Sequence, residues 1–212
     1  MLKTSENTLD PDDWPSFRKQ GHDMLDDMFN YLEQLREQPV WQGLLPEQRE
    51  IFQQPLSNDP SDLTEVHATF MKTILPYAVG NTHPGFMGWV HGGGTPVGML
   101  ADMLAAGLNA NVGGRDQAPI ELEKQLLQWI KELFSFPETA NGLFVTGTSM
   151  ANLISVLIAR TFYLGKAIRK EGLVNSGLQL VAYTSASAHV SIAQAMEIAG
   201  IGSNFLLSLI HI

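Results

Sequence analysis

Gly142-Leu143-Phe144-Val145-Thr146-Gly147-Thr148-Ser149-Met150-Ala151-Asn152 passes from a short apolar run, through one glycine, into a helix-forming run that extends to about Ala167. The apolar run 142–146 predicts a strand, Gly147 the turn, and the run after it a helix. Open α/β sheets bind their ligands at such carboxyl ends of strands. The first turn of a helix carries N–H groups with no intrahelical acceptor and the positive end of the helix dipole, which together suit a phosphate dianion. Thr148 and Ser149 add hydroxyl donors there, and Gly147 lets the backbone come close to a bound group. The plainer alternative is that one of the two hydroxyls merely caps the helix. The turn matches neither a P-loop nor a GxGxxG turn.

Downstream the pattern repeats. Leu178, Leu180 and Ala182 alternate with Gln179, Val181 and Tyr183, which predicts a strand over Leu178–Thr184. Small residues fill Thr184–Ala188, and a helix from about His189 to Ala199 ends at Gly200. Strands that alternate with helices imply a parallel sheet with helices packed on it. His189 then falls at the same sheet edge as the phosphate turn, one connection away. A histidine so placed can lie flat against a bound aromatic ring and donate a hydrogen bond to a substrate carboxylate. Its plainer reading is a structural histidine near a helix start.

Upstream, Phe17, Met24, Met28, Leu32 and Leu35 recur at helical spacing and predict an amphipathic helix over Trp14–Leu35, with Asp12 or Asp13 as its cap. A Pro-containing linker follows, then a second helix over Leu63–Leu75 that Pro76 stops. The texture changes near His83: Asn81–Pro96 holds two Pro and five Gly around Phe86, Met87, Trp89 and His91, which predicts a shaped loop. Trp89 and His91 are candidates for lining a pocket, against the plainer reading of a packing loop. Helices follow over Thr95–Leu108 and Pro119–Phe134, the latter with a stripe of Leu122, Leu126, Ile130 and Leu133.

Composition narrows the class. In 212 residues, 44% are hydrophobic and 17% charged, an ordinary balance for a globular protein, and the net charge of −9 argues against nucleic acid or an anionic membrane as partner. The absence of Cys removes disulfides and thiolate chemistry. No apolar stretch approaches the roughly 20 residues of a membrane span, and no secretory apolar region opens the chain, so the expected compartment is the cytoplasm. His22, His67, His83 and His211 show no metal-ligand spacing.

A serine-hydrolase reading competes. Gly147–Ala151 resembles a degenerate nucleophile elbow with Ser149 as nucleophile, and His91-Gly92-Gly93-Gly94 an oxyanion loop. The elbow wants Gly where Ala151 stands, no Asp follows Asp116, and His189 comes too early for that fold's order of triad residues. A third possibility is a non-catalytic dimerisation module.

Taken in order, several segments resemble the group II pyridoxal-dependent amino-acid decarboxylases, the family of aromatic amino-acid, glutamate and histidine decarboxylases. They are Arg36–Val40, His83-Pro84-Gly85-Phe86, Met99–Leu104, Glu121-Leu122-Glu123 with Trp129, Gly147–Asn152, Ala159-Arg160 and Ser185–Ser191. The resemblance implies a fold-type-I (aspartate aminotransferase-like) α/β large domain, truncated and preceded by a helical arm. It implies pyridoxal 5'-phosphate as cofactor, held by Gly147, Thr148 and Ser149 with His189 stacked on its ring as the catalytic histidine. It also implies a small amino-acid substrate met by Trp89 and His91, and a homodimeric full-length protein. The expected division is 1–80 as helical arm, 81–206 as the first part of the large domain, and 207–212 as a tail.

Two departures from the family pattern bear on the substrate: Met150 stands where Glu is usual, and Ile120 where Thr is common. A third bears on activity. The family's Schiff-base lysine and the carboxylate facing the pyridine nitrogen follow later strands, whereas here only Lys166 and Lys170 come after the turn. The resemblance therefore implies an inactive fragment whose incomplete sheet leaves an open edge and exposed core. A third strand should begin where the chain stops, but Leu207-Ser208-Leu209-Ile210-His211-Ile212 fits neither a strand-to-loop transition nor the family and matches a translated transposon-end sequencing adapter, so a non-native tail is expected.

Overall fold

The Asp13 carboxylate and Pro15 start the first helix, α1 (Trp14–Glu33): Asp13 accepts the Ser16 N–H at 3.2 Å, satisfying an amide that the helix itself leaves unpaired. The computed structural model describes residues 10–174 and 176–209. The chain divides into two compact units, Met1–Ala110 and Asn111–Ile212. The change of texture near residue 81 does not coincide with that division.

In the first unit α1 leads into a 3₁₀ turn (Leu35–Glu37), the short helix α2 (Pro46–Arg49) and another 3₁₀ turn (Glu50–Gln53). Helix α3 (Leu63–Thr69) is capped by Asp62, which accepts the Thr64 N–H at 2.7 Å. The helix expected over Leu63–Leu75 does not run on regularly. It loosens into a π-helical turn (Phe70–Ile74) and closes in a 3₁₀ turn (Leu75–Tyr77), because Pro76 has no N–H to continue the ladder. Gln20 Nε2 donates to Thr64 Oγ1 at 3.2 Å, and His67 Nε2 lies 3.4 Å from Asp27 Oδ2, tying α1 to α3. Gly80 has φ +78°, and a Cβ there would stand 1.7 Å from the Val40 carbonyl oxygen, so no other residue fits this crossing. The Gly-rich stretch is a loop, as expected, and Asn81 Nδ2 donates to the Gly92 carbonyl across it at 2.7 Å. Helix α4 (Pro96–Leu108) follows, with Thr95 Oγ1 accepting the Gly98 N–H at 2.9 Å.

The second unit opens with α5 (Ala118–Leu133), with Pro119 in its first turn. All four residues of its predicted apolar stripe, Leu122, Leu126, Ile130 and Leu133, stand exposed. Residues 142–146, expected to be a strand, pair with no other strand among the described residues. An apolar run becomes a strand only where a neighbour completes its hydrogen bonds, and none is supplied here. Helix α6 (Thr148–Leu164) follows, stopping short of Ala167 because Gly165 turns the chain at φ +83°. Next come α7 (Ile168–Glu171), strand β1 (Ala182–Ser185), helix α8 (Ser191–Ile198), a 3₁₀ turn (Ser203–Phe205) and strand β2 (Leu206–Leu209). The strand expected over Leu178–Thr184 is thus shorter and shifted toward its C-terminal half.

Strands β1 and β2 pair in parallel, from Ala182 with Leu206 to Ser185 with Leu209, and α8 makes the crossover between them. The parallel arrangement expected from strand–helix alternation is therefore present, with a different second strand. Leu207–Leu209, set apart as part of the expected tail, belong to it. Residues 210–212 of the expected tail lie outside the described residues. The core of this unit is Met196, Ala199 and Ile201, packed by Val156 and Leu157 of α6, by Leu173 and Leu180, and by Ala182 and Leu206 of the two strands. Arg160 Nη1 donates to the Ala199 carbonyl at 2.5 Å and closes the C-terminal end of α8 against α6. Packing of α6 on α8 thereby fixes the start of each helix relative to the other.

Candidate functional site

Gly147 occupies the cap position of α6, and no side chain bonds there. The plainer reading of Thr148 or Ser149 as a helix cap is therefore not realised. The two residues form the first positions of the helix, where their N–H groups have no intrahelical acceptor. Neither hydroxyl makes a hydrogen bond to any described residue. A Cβ added to Gly147 would meet no atom within 4 Å, so the backbone faces open space at the turn.

An open cleft of about 580 Å³ lies before this turn, lined by Thr146, Gly147, Thr148, Ser149, Met150 and His189. Four residues singled out from the sequence, Gly147, Thr148, Ser149 and His189, thus meet on one surface although the turn and the histidine are far apart in the chain. The cleft collects hydroxyl and amide donors at the positive end of a 17-residue helix, and no acidic residue lines it. Such a combination of donors and helix dipole suits an anion.

His189 comes off the turn between β1 and α8, which is shaped by the Ala188 N–H donating to the Ser185 carbonyl at 3.1 Å and the Ser187 N–H donating to Ser185 Oγ at 3.1 Å. Its Nδ1 accepts the Ser191 N–H at 3.2 Å and lies 2.9 Å from Ser191 Oγ. Asn152 Nδ2, on α6, donates to that same Ser191 Oγ at 3.0 Å. Ser191 is only 3% exposed. Reasoning from the sequence missed Asn152 and Ser191 as site residues. The one available signal was their position, within the phosphate turn and two residues beyond the histidine.

Trp89 and His91 belong to the first unit. Their rings stack with centroids 5.6 Å apart at 29°, and His91 also stacks on Phe86 at 5.8 Å and 19°. Trp89 adopts φ +46°, unusual for a bulky residue, and is 81% exposed. The loop therefore carries a column of three rings whose end is open.

The hydrolase reading finds no support. Ser149 Oγ has no histidine bonded to it, and His189 Nδ1 is engaged by Ser191 instead. Among the described residues no group of three His, Asp or Glu side chains could hold a metal, and no helix is long and apolar enough to cross a membrane. No lysine among the described residues lines the cleft; Lys166 lies on a separate apolar groove along α6 with Leu157 and Phe162. Neither lysine whose pKa is shifted lines the cleft. A hydrogen bond and the charge of Asp23 hold the Lys19 ammonium above its ordinary pKa, and Glu121 does the same for Lys124.

Comparison with known proteins identifies the family. Residues 46–211 match the model of the pyridoxal-dependent decarboxylase conserved domain. An aromatic-L-amino-acid decarboxylase of Bacillus atrophaeus is 29% identical over 188 residues, covering 86% of this chain and 37% of that protein. Tyrosine decarboxylase 4 of Petroselinum crispum is 30% identical over 207 residues, covering 92% and 39%. The chain thus spans about two fifths of the length of these relatives. Among solved structures, the Catharanthus roseus tryptophan decarboxylase in complex with L-tryptophan superposes with a TM-score of 0.80 at 24% identity, covering 96% of this chain and 43% of that one. The fold is that of the pyridoxal-dependent decarboxylases, a fold-type-I large domain carried in part by this chain. By the match over residues 46–211, the chain belongs to the pyridoxal-dependent decarboxylase family.

Proposed function

We propose that this chain provides the phosphate-binding turn and the ring-facing histidine of a pyridoxal 5'-phosphate-dependent enzyme that converts an L-amino acid to its amine and carbon dioxide. The observation that carries the reading is the pairing, on one cleft, of two unbonded hydroxyls at the start of α6 with the imidazole of His189. A phosphate dianion would take the Thr148 and Ser149 hydroxyls and the free first-turn N–H groups, all at the positive end of the helix. The residues present fit such a group, since the donors are unpaired, the space before Gly147 is open and no carboxylate opposes the charge.

Bound pyridoxal phosphate supplies an electron sink for the electrons released as carbon dioxide leaves. The chain's own residues hold and orient. Thr148 and Ser149 fix the phosphate end, and His189 covers a ring face and excludes water from it. The exposed rings of Trp89 and His91, backed by the half-buried Phe86, offer an apolar, π-rich surface, and we assign Trp89 and His91 to recognition of the amino-acid side chain. The family likeness of the Trp89–Gly92 loop supports a homodimer as the working form.

His189→Ala separates the ring contact from the phosphate contact. It is expected to weaken pyridoxal 5'-phosphate binding roughly fivefold, the worth of one stacked ring, measured by equilibrium titration of the cofactor's absorbance. Competition by inorganic phosphate should stay unchanged. Equal cofactor affinity in the wild type and the variant would remove His189 from the site.

A further inference from the structure

We propose that Asn152 and Ser191 are positioning residues that decide which nitrogen of His189 carries its proton, an inference that rests on the cofactor reading for its use but on geometry for its substance. The Ser191 backbone N–H can only donate, so at 3.2 Å from His189 Nδ1 it requires a lone pair there. The Ser191 hydroxyl, 2.9 Å from the same nitrogen, has a single proton. Asn152 Nδ2 occupies a lone pair of that oxygen by donating to it at 3.0 Å, which leaves the hydroxyl proton free to point at Nδ1. The polarity runs one way, from Asn152 through Ser191 to His189. Reversing the amide would make Ser191 donate to Asn152 and set an oxygen lone pair against Nδ1.

The relay fixes two properties of His189. Nδ1 is an acceptor from two donors, so neutral His189 carries its proton on Nε2. The ring, itself exposed, is held by its Nδ1 edge to the buried Ser191 through two contacts, which oppose the half-turn of the imidazole that would exchange the two nitrogens. The other ring nitrogen, left with the N–H, is then a donor on a residue that lines the cleft. The chain of contacts links α6 to the start of α8, so the two helices that build the phosphate turn and place the histidine are joined by the same three side chains.

The test is the tautomer itself, read from the ¹⁵N ring shifts of His189 in the whole chain. The measurement is made about two pH units above the ordinary histidine pKa of about 6.5, with His189→Gln to assign the signal. The wild type should show the Nε2–H form predominating. Asn152→Asp is isosteric but only accepts, so it draws the Ser191 proton toward itself. The ratio of the Nδ1–H form to the Nε2–H form should then rise roughly fivefold, the worth of one hydrogen bond. Ser191→Ala, which removes the hydroxyl without adding bulk, should move the ratio in the same direction, and Ser191→Thr should keep the wild-type ratio. Unchanged ratios in both Asn152→Asp and Ser191→Ala would overturn the proposal. Pyridoxal 5'-phosphate titration of the same samples separates the two readings. Roughly fivefold weaker binding by Ser191→Ala is expected. A wild-type chain that binds no cofactor, while its ratios shift as stated, would contradict the cofactor reading and uphold the relay.

Discussion

Replacing Thr148 and Ser149 together with alanine will weaken pyridoxal 5'-phosphate binding roughly 100-fold, with the helix intact. The magnitude comes from the charge on the ligand. A hydrogen bond to an ionised group contributes about 1.5–3 kcal/mol, so two hydroxyls account for roughly 3 kcal/mol, or about two powers of ten in Kd. The fold should tolerate the change because neither hydroxyl bonds to any described residue and neither caps α6, whose cap is Gly147. Equilibrium titration gives the affinity and far-UV circular dichroism the helix content. If affinity falls only in proportion to helix content, the hydroxyls are structural after all. If neither changes, they play no part in binding.

Met196→Ala is the second large effect. Met196 is 2% exposed and sits at the centre of the core that joins α8 to α6 and to both strands. Truncating a buried methionine costs about 2–5 kcal/mol through lost burial and the cavity left behind, and the spread of packing partners around Met196 points to about 3 kcal/mol. Urea unfolding followed by circular dichroism would report it as a lower midpoint with little change in slope. Ile158→Ala on the outer side of α6 is the control. Its side chain is 61% exposed, so its effect should stay within about 0.5 kcal/mol. Because α8 begins at Ser191, loosening its core should also weaken cofactor binding, whereas the control should not. Similar losses in both variants would mean that the α6–α8 packing does not carry this unit.

The helices were legible because their signals are local. Asp13 and Pro15 mark the start of α1, Thr95 and Pro96 that of α4, and Gly165 and Gly200 turn the chain in the left-handed region where α6 and α8 close. The strands were less so. Residues 142–146 look like a strand by their apolar run, yet strand formation depends on a partner that the run does not encode. Conversely, Leu207–Leu209 looked foreign to the fold until their register with Tyr183–Ser185 gave those residues partners in the sheet. The strand–helix alternation brought the turn and His189 together, and they do line one cleft, although residues 142–146 form no paired strand among the described residues. The Asn152–Ser191 contact could not, since it joins residues 39 apart through the packing of α6 on α8.

The most direct measurement compares pyridoxal 5'-phosphate with pyridoxal, which keeps the ring and loses only the phosphate. A site built on the first turn of α6 should bind the phosphorylated form at least about 100-fold more tightly, with the preference eroding at high salt as the charge is screened. Equal affinity for the two compounds would contradict it and leave Gly147, Thr148 and Ser149 as an ordinary helix start.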